Sequence, residues 1–451
     1  MRLLLLLILG GLMHAAGTFA PQPGVGSGAA GTALACGYLL LSGFFLGSLF
    51  RQVGLPKLTG YIVLGIVAGP QVLGLLSPPM VANLQIFNGA ATALIALTAG
   101  VELDLRSIRP LMRSILALIG GAMLGTAGLL TAAVYFWRDL LPFLHELTPE
   151  QALAMALVLG VTMSAGSPAV VVALRSEMEA DGPLTRTVLG VVVMADLVVI
   201  LLFAVVSSAA KATLGGNADA LGTAATLAWE LLGSIGSGLL VGGVLAIFLR
   251  FVRQGTGLFV VTVAFVVAEV GMRIDFDPLI VALAAGMLVR NTTALGDRLQ
   301  EAIEGASLPV YVAFFAVTGA NIHLRELLII GIPAALFVTV RAGGFLGLGW
   351  LAARVAGAPE VVRRYAGFGL LPQAGLALAL ALLFVRTFPH FGGEASALVL
   401  GAVAINEMLA PVLYRFALVR SGEAGRGQGA AARIPVGANA PAAVPENLVS
   451  S

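Results

Sequence analysis

The chain is predicted to be an all-α polytopic membrane protein with about 13 transmembrane helices, built as two inverted five-helix repeats. Three observations predict this: the composition, an uneven partition of basic residues between the two ends of the apolar spans, and a pair of glycine-centred segments that recur in both halves. Of 451 residues, 59% are hydrophobic, 11% are charged and 57 are glycine. Apolar stretches long enough to cross a hydrocarbon core of about 30 Å recur along nearly the whole length. Lipid offers a backbone no hydrogen bonds, so these stretches must be helices; a β-barrel would need short alternating segments instead. The net charge of +2 and the dispersal of the basic residues exclude a nucleic-acid surface. Cys36 is the only cysteine, which excludes an internal disulfide and thiolate metal clusters.

The elements follow in chain order. Residues 1–20, "MRLLLLLILGGLMHAAGTFA", carry Arg2, a leucine-rich stretch and small residues near Ala20, the pattern of a signal peptide. An uncleaved extra helix is the alternative. The transmembrane domain covers 33–420, with spans expected at 33–51, 57–76, 88–105, 110–137, 151–175, 184–209, 222–250, 256–274, 278–293, 307–323, 331–354, 362–386 and 394–418. Residues 421–451, rich in Gly, Ala and Pro and without periodic apolar residues, are expected to be a disordered cytoplasmic tail.

Charge asymmetry tests the count. With the mature N-terminus outside, and Arg2 and Arg341 set aside, only Arg138, Lys211, Arg273, Arg325 and Arg386 fall on the outer side; all other basic residues are cytoplasmic. One missed or invented span would scramble that bias.

The repeat lies within the spans. "LTGYIVLGIVAGP" from Leu58 resembles "LIVALAAGMLVRN" from Leu279, pairing Gly65 with Gly286. "TAGVELDLR" from Thr98 resembles "VTGANIHLR" from Val317, pairing Gly100 with Gly319, and Pro110 and Pro333 are each expected to open the next helix. Seven spans separate each helix from its counterpart, an odd number, so the copies (about 57–209 and 278–418) run in opposite directions. Inverted repeats mark secondary transporters, which bind substrate near the midplane where the halves meet.

Three ionisable residues sit at mid-span: Asp196 in "VVVMADLVVILL", Arg341 in "VTVRAGG" and Glu407 in "AINEML". Each costs about 2.5–3.5 kcal/mol to insert, so each must be paired or functional. Arg341 and Glu407 could lock two helices as a buried ion pair or act directly. Two spans are also interrupted. "VTMSAGSPAVV" places Thr162, Ser164, Ser167 and Pro168 together, and "GFGLLPQAGLALAL" places Pro372 and Gln373 at the matching position of the second half. Helices broken at corresponding places should expose carbonyls at a binding site.

At this point the chain resembles the bacterial monovalent cation:proton antiporters, the group of the sodium/proton exchangers and Kef-type potassium-efflux transporters. The residues that carry the resemblance are "GLPKLTGYIVLGIVAGP", "GVELDLRSIR", "TMSAGSPAVV" followed by "VVVMADLVVI", and "GFGLLPQAGLALALA". It covers roughly 33–418, the transmembrane part only. The resemblance implies two crossed discontinuous helices in a mobile core, a dimerisation domain and hence a homodimer, and an Asp at 196 that binds proton and metal cation in turn, with Arg341 as a supporting charge. Ala195 departs from the family, where Asp, Asn or Gln commonly precedes that Asp.

The expected function is secondary active antiport of Na+ or K+ against H+ by alternating access in the bacterial inner membrane, without a cofactor. Thr162, Ser164 and Ser167 and the freed carbonyls would supply further oxygen ligands. With one titrating group, exchange should be electroneutral. The competing readings are a symporter for a small organic anion and an intramembrane serine hydrolase. The second needs a histidine base, and His14, His145, His323 and His390 lie in the N-terminal segment, at span ends or in loops, outside the interrupted spans.

Overall fold

The computed structural model describes residues 2–18, 31–145, 147–214, 220–252, 254–274, 276–322, 324–373, 375–388 and 392–426. Each expected span falls on a helix or a broken helix: α1 Thr32–Gln52, α2 Lys57–Ala68, α3 Ile86–Glu102, α4 Arg109–Phe136, α5a Pro149–Ser164 and α5b Pro168–Met178, then α6 Pro183–Thr213, α7 Ala220–Phe251 and α8 Thr256–Ile274. The series ends with α9 Pro278–Thr292, α10 Gly296–Ala320, α11 Leu324–Val355, α12a Glu360–Gly369 and α12b Gly375–Thr387, and α13 Gly392–Arg420. Among the described residues there is no strand, and 9 helices are long and apolar enough to cross a membrane.

Local chemistry sets the helix starts. Pro149, Pro168, Pro183 and Pro278 each stand in the first turn, where the missing N–H is no loss. Thr148 and Gln151 form a reciprocal capping box ahead of α5a. Two boundaries differ from expectation. The second span stops at Ala68 rather than 76, because Gly69 precedes Pro70 and is extended; the chain turns there and resumes in a short helix, Pro78–Leu84. Pro333 does not open its helix: α11 begins at Leu324 and carries Pro333 inside, a defect that neighbouring helices make tolerable in membranes.

The helices sort into two bundles by packing. One, the scaffold, unites α1, α2, α3, α7, α8, α9 and α10; the other, the core, unites α4, α5, α6, α11, α12 and α13. The scaffold is drawn together by the four glycines that the repeat pairs. A Cβ on Gly65 of α2 would overlap Ala316 O of α10, and one on Gly319 of α10 would overlap Ile62 O of α2. A Cβ on Gly100 of α3 would overlap Leu283 O of α9, and one on Gly286 of α9 would overlap Leu97 O. The pairing of 65 with 286 and 100 with 319 exchanges one contact for the other. Without a hydrophobic drive between helices in lipid, such backbone approach is what packing rests on. Gly65→Leu is therefore expected to destabilise by about 3 kcal/mol or more through overpacking. Gly128→Leu, where nothing lies within 4 Å, should leave the detergent melting temperature unchanged, and comparing the two melts checks the effect.

At one end the bundles are tied. Glu102 at the end of α3 pairs with Arg175 of α5b, and its side chain is only 3% exposed. Glu177 of α5b accepts from Lys57 N at 2.8 and 3.0 Å, and Arg415 donates to Gly54 O. Residues 421–426, read as the start of a disordered tail, are docked instead: buried Glu423 accepts from Leu184 N (2.7 Å), Thr185 N (2.8 Å) and Thr185 Oγ1 (2.7 Å), capping α6. Residues 427–451 lie outside the described residues. An N-terminal helix, Arg2–Thr18, lies against α1 with Met13 buried; the expected cleavage point near Ala20 falls outside the described residues.

Candidate functional site

Two helices of the core are interrupted. Residues 165–167 separate α5a from α5b, and residues 370–373 leave α12a before α12b begins at Gly375. Ser167 accepts from Val170 N (3.4 Å) as the cap of α5b, with Pro168 as the first residue of that half. Each break frees carbonyls that helix geometry would have used, and inside a membrane those need donors.

Arg341 of α11 supplies them. Its side chain is 1% exposed. Nε donates to Met163 O (2.9 Å) and Nη2 to Ala165 O (2.9 Å) on the first break, while Nη1 donates to Leu371 O (2.6 Å) and Nη2 to Leu370 O (3.4 Å) on the second. The guanidinium also lies 4.7 Å from the Phe345 ring centroid. Gln373 adds a bond across the crossing to Met163 O (3.1 Å), and Asn406 of α13 holds it through Gln373 Oε1 (2.8 Å). One rigid fork and one amide thus fasten both breaks together.

Beside this crossing stands Asp196 on α6. Gly166 in the first break approaches Val192 and Pro372 O, and Asp196 is one helical turn beyond Val192 on the same face. The Asp196 side chain belongs to a residue only 3% exposed, and neither carboxylate oxygen has a hydrogen-bond partner. It lines a cavity of about 360 Å³ between α6 of the core and α7 and α9 of the scaffold, shared with Leu105, Asp277 and Asn291. A buried, unpartnered carboxylate at the wall of a cavity is an arrangement that a structural role does not reward.

The chain matches the family described as sodium/hydrogen exchanger, transmembrane, over residues 38–420. It belongs to that family. The chain is 22% identical over 394 residues to the "Probable Na(+)/H(+) antiporter 3" of Methanocaldococcus jannaschii, covering 83% of this chain and 94% of that one. It is 28% identical over 170 residues to the iron transporter MagA of Paramagnetospirillum magneticum, a match spanning 37% of this chain and only 36% of that protein. Its fold is that of the sodium proton antiporter MjNhaP1 of M. jannaschii. One such structure has a TM-score of 0.65 at 15% identity, covering 90% of this chain and 99% of that one; a second, at pH 8, has 0.56 at 15%, covering 89% and 97%.

Asp196, Arg341, Pro168, Pro372 and Gln373 gather at the crossing, as described. Arg341 makes no ion pair with Glu407; its donors are spent on carbonyls, and Glu407 is buried on α13 (3% exposed). The carbonyls of 163, 165, 370 and 371, freed at the breaks, each accept from Arg341. Thr162 and Ser164 donate to Val158 O and Val161 O in their own helix (2.8 Å each), and neither they nor Ser167 line the Asp196 cavity. Hydroxyls inside apolar helices commonly turn back on the preceding turn in this way. Asp277, Asn406 and Glu423 were missed. The first announced itself only as Asp-Pro before an apolar run, which is a helix start and no more.

Proposed function

We propose that this chain exchanges a monovalent cation, Na+ or K+, for a proton across the cell membrane by alternating access, with Asp196 as the group the two ions share. Family membership supports the cation:proton class. The single observation that carries the assignment to Asp196 is its pair of unpartnered carboxylate oxygens at the wall of the inter-bundle cavity. One carboxylate holds a proton or a partly dehydrated cation, not both, and that exclusion couples the fluxes. An organic anion is disfavoured there, because no Lys or Arg lines the cavity.

Movement of the core against the scaffold would carry Asp196 from one face to the other. Arg341 travels with it as a fixed positive charge; it is held by four carbonyls and has no proton to give. One titrating group in the cavity on the core side then makes the exchange one for one and electroneutral. The inverted-repeat organisation, an outer mature N-terminus, a cytoplasmic C-terminus and a homodimer belong to the same proposal, the orientation resting on the basic-residue bias.

Purified protein in liposomes tests it. With an inward acid gradient and a pH-sensitive dye, adding Na+ or K+ should release protons in the absence of any organic solute. No release with either cation would remove the exchange; a rate that follows an imposed membrane potential would remove the one-for-one stoichiometry.

A further inference from the structure

The cavity beside Asp196 has a second acid among its lining residues, on the scaffold side. Asp277 precedes α9, in the scaffold, and accepts from Leu279 N (2.8 Å) as the helix cap, while its own N–H donates to Ser234 Oγ of α7 (2.9 Å). Those bonds fix it to two scaffold helices. Capping explains an oxygen acceptor at this position, but not a charge: Ser and Asn cap as well as Asp. The helix dipole adds only about 0.3–1 kcal/mol for a charge here, and that charge is placed in a cavity otherwise walled by side chains such as Ile235, Leu239 and Leu283, with no cationic side chain among the lining residues. Asp277 also acts electrostatically on Asp196.

Two carboxylates lining one apolar cavity repel each other when nothing separates them. A cation between them is stabilised by both. Under the exchange reading that ion is the transported monovalent cation.

We propose that Asp277 is the scaffold half of the monovalent-cation site, sharing the ion with Asp196 when the core is in the position seen here. This rests on the exchange reading for its purpose, though not for its test. Because α6 belongs to the core and α9 to the scaffold, core movement separates the pair, and the ion leaves its second carboxylate as Asp196 moves. Asp277 thus raises cation affinity on one face of the cycle only, and does not itself cross the membrane.

Asp277→Asn and Asp277→Ser remove the charge and keep the cap, and Asp277→Ala removes both. Two readouts apply: sodium-dependent thermal stabilisation in detergent at constant ionic strength, and the KM for sodium in proteoliposomes. The Asn and Ser variants are expected to melt like the native chain without sodium, to need about tenfold more sodium for half-maximal stabilisation, and to show a similar rise in KM with the maximal rate kept within about twofold. Asn and Ser variants that match the native chain in both readouts, with only Ala altered, would reduce Asp277 to a helix cap and overturn the proposal. If the native chain is stabilised by sodium and the variants shift, yet no exchange occurs, the site stands and the exchange reading fails. No sodium-dependent stabilisation of the native chain would overturn the site itself.

Discussion

Asp196→Asn is expected to stop cation-driven proton release in proteoliposomes while leaving the protein as stable as before, or slightly more so. The two halves of that expectation have separate causes. Loss of transport follows from removing the core's only charge in the cavity: stripping one partner from a buried charge pair costs about 3–5 kcal/mol, so cation affinity should fall by roughly 100-fold or more. Retained stability follows from the bonds Asp196 does not make. Both of its oxygens lack partners, so the amide breaks no hydrogen bond, and it relieves the burial of an acid that nothing in the protein compensates. A structural acid would behave in the opposite way, with its amide melting early and transporting in proportion to the folded fraction. Exchange by the Asn variant above about a tenth of the native rate would take Asp196 out of the mechanism.

The dissociation of stability from transport also separates helix packing from ion binding. Overpacking at Gly65 acts on the scaffold, far along the chain from the cavity acid, and should lower the melting temperature without altering the sodium dependence of whatever protein stays folded. Asp196 and Asp277 should do the reverse.

How far these residues could be read in advance depends on the kind of partner each one has. Asp196 was legible because its environment is its own sequence: aliphatic neighbours on both sides announce a buried acid with no help from the fold. The paired glycines were legible for a similar reason, since close backbone approach tolerates little else and leaves the same mark in both halves. Arg341 was visible as a buried charge, but its partners were not. Opposite side chains are the natural candidates in a sequence, which suggested Glu407, whereas the acceptors in the fold are carbonyls of 163, 165, 370 and 371. Backbone carbonyls are the same at every position, so no pattern of residue types could single these out. Asp277 and Glu423 were obscured differently. Asp277 sits at a helix start, where an acid is ordinary, and Glu423 lies in the segment read as a disordered tail; only the tertiary arrangement brings one to the cavity of Asp196 and the other to cap α6.

Arg341 therefore bears a sharper test than charge alone would. If it served simply as a positive charge near the crossing, Arg341→Lys would preserve most of its function. The geometry argues otherwise. Three nitrogens reach carbonyls on two separate breaks at 2.6 to 3.4 Å, and an ammonium is a single point that cannot span them in the same plane. Lys is expected to satisfy one break and leave the other's carbonyls without donors, at about 1–3 kcal/mol for each buried group left unpaired. Arg341→Met removes every donor and the charge together, and should fail to yield monodisperse protein after extraction. For Arg341→Lys the measurements are the melting temperature and the exchange rate of the folded fraction: a fall of several degrees in the first, and a loss of about tenfold or more in the second, because the breaks no longer move as one unit beside Asp196. A Lys variant that melts and exchanges like the native chain would return Arg341 to the role of a supporting charge, and the crossing would then be held by Gln373 and packing.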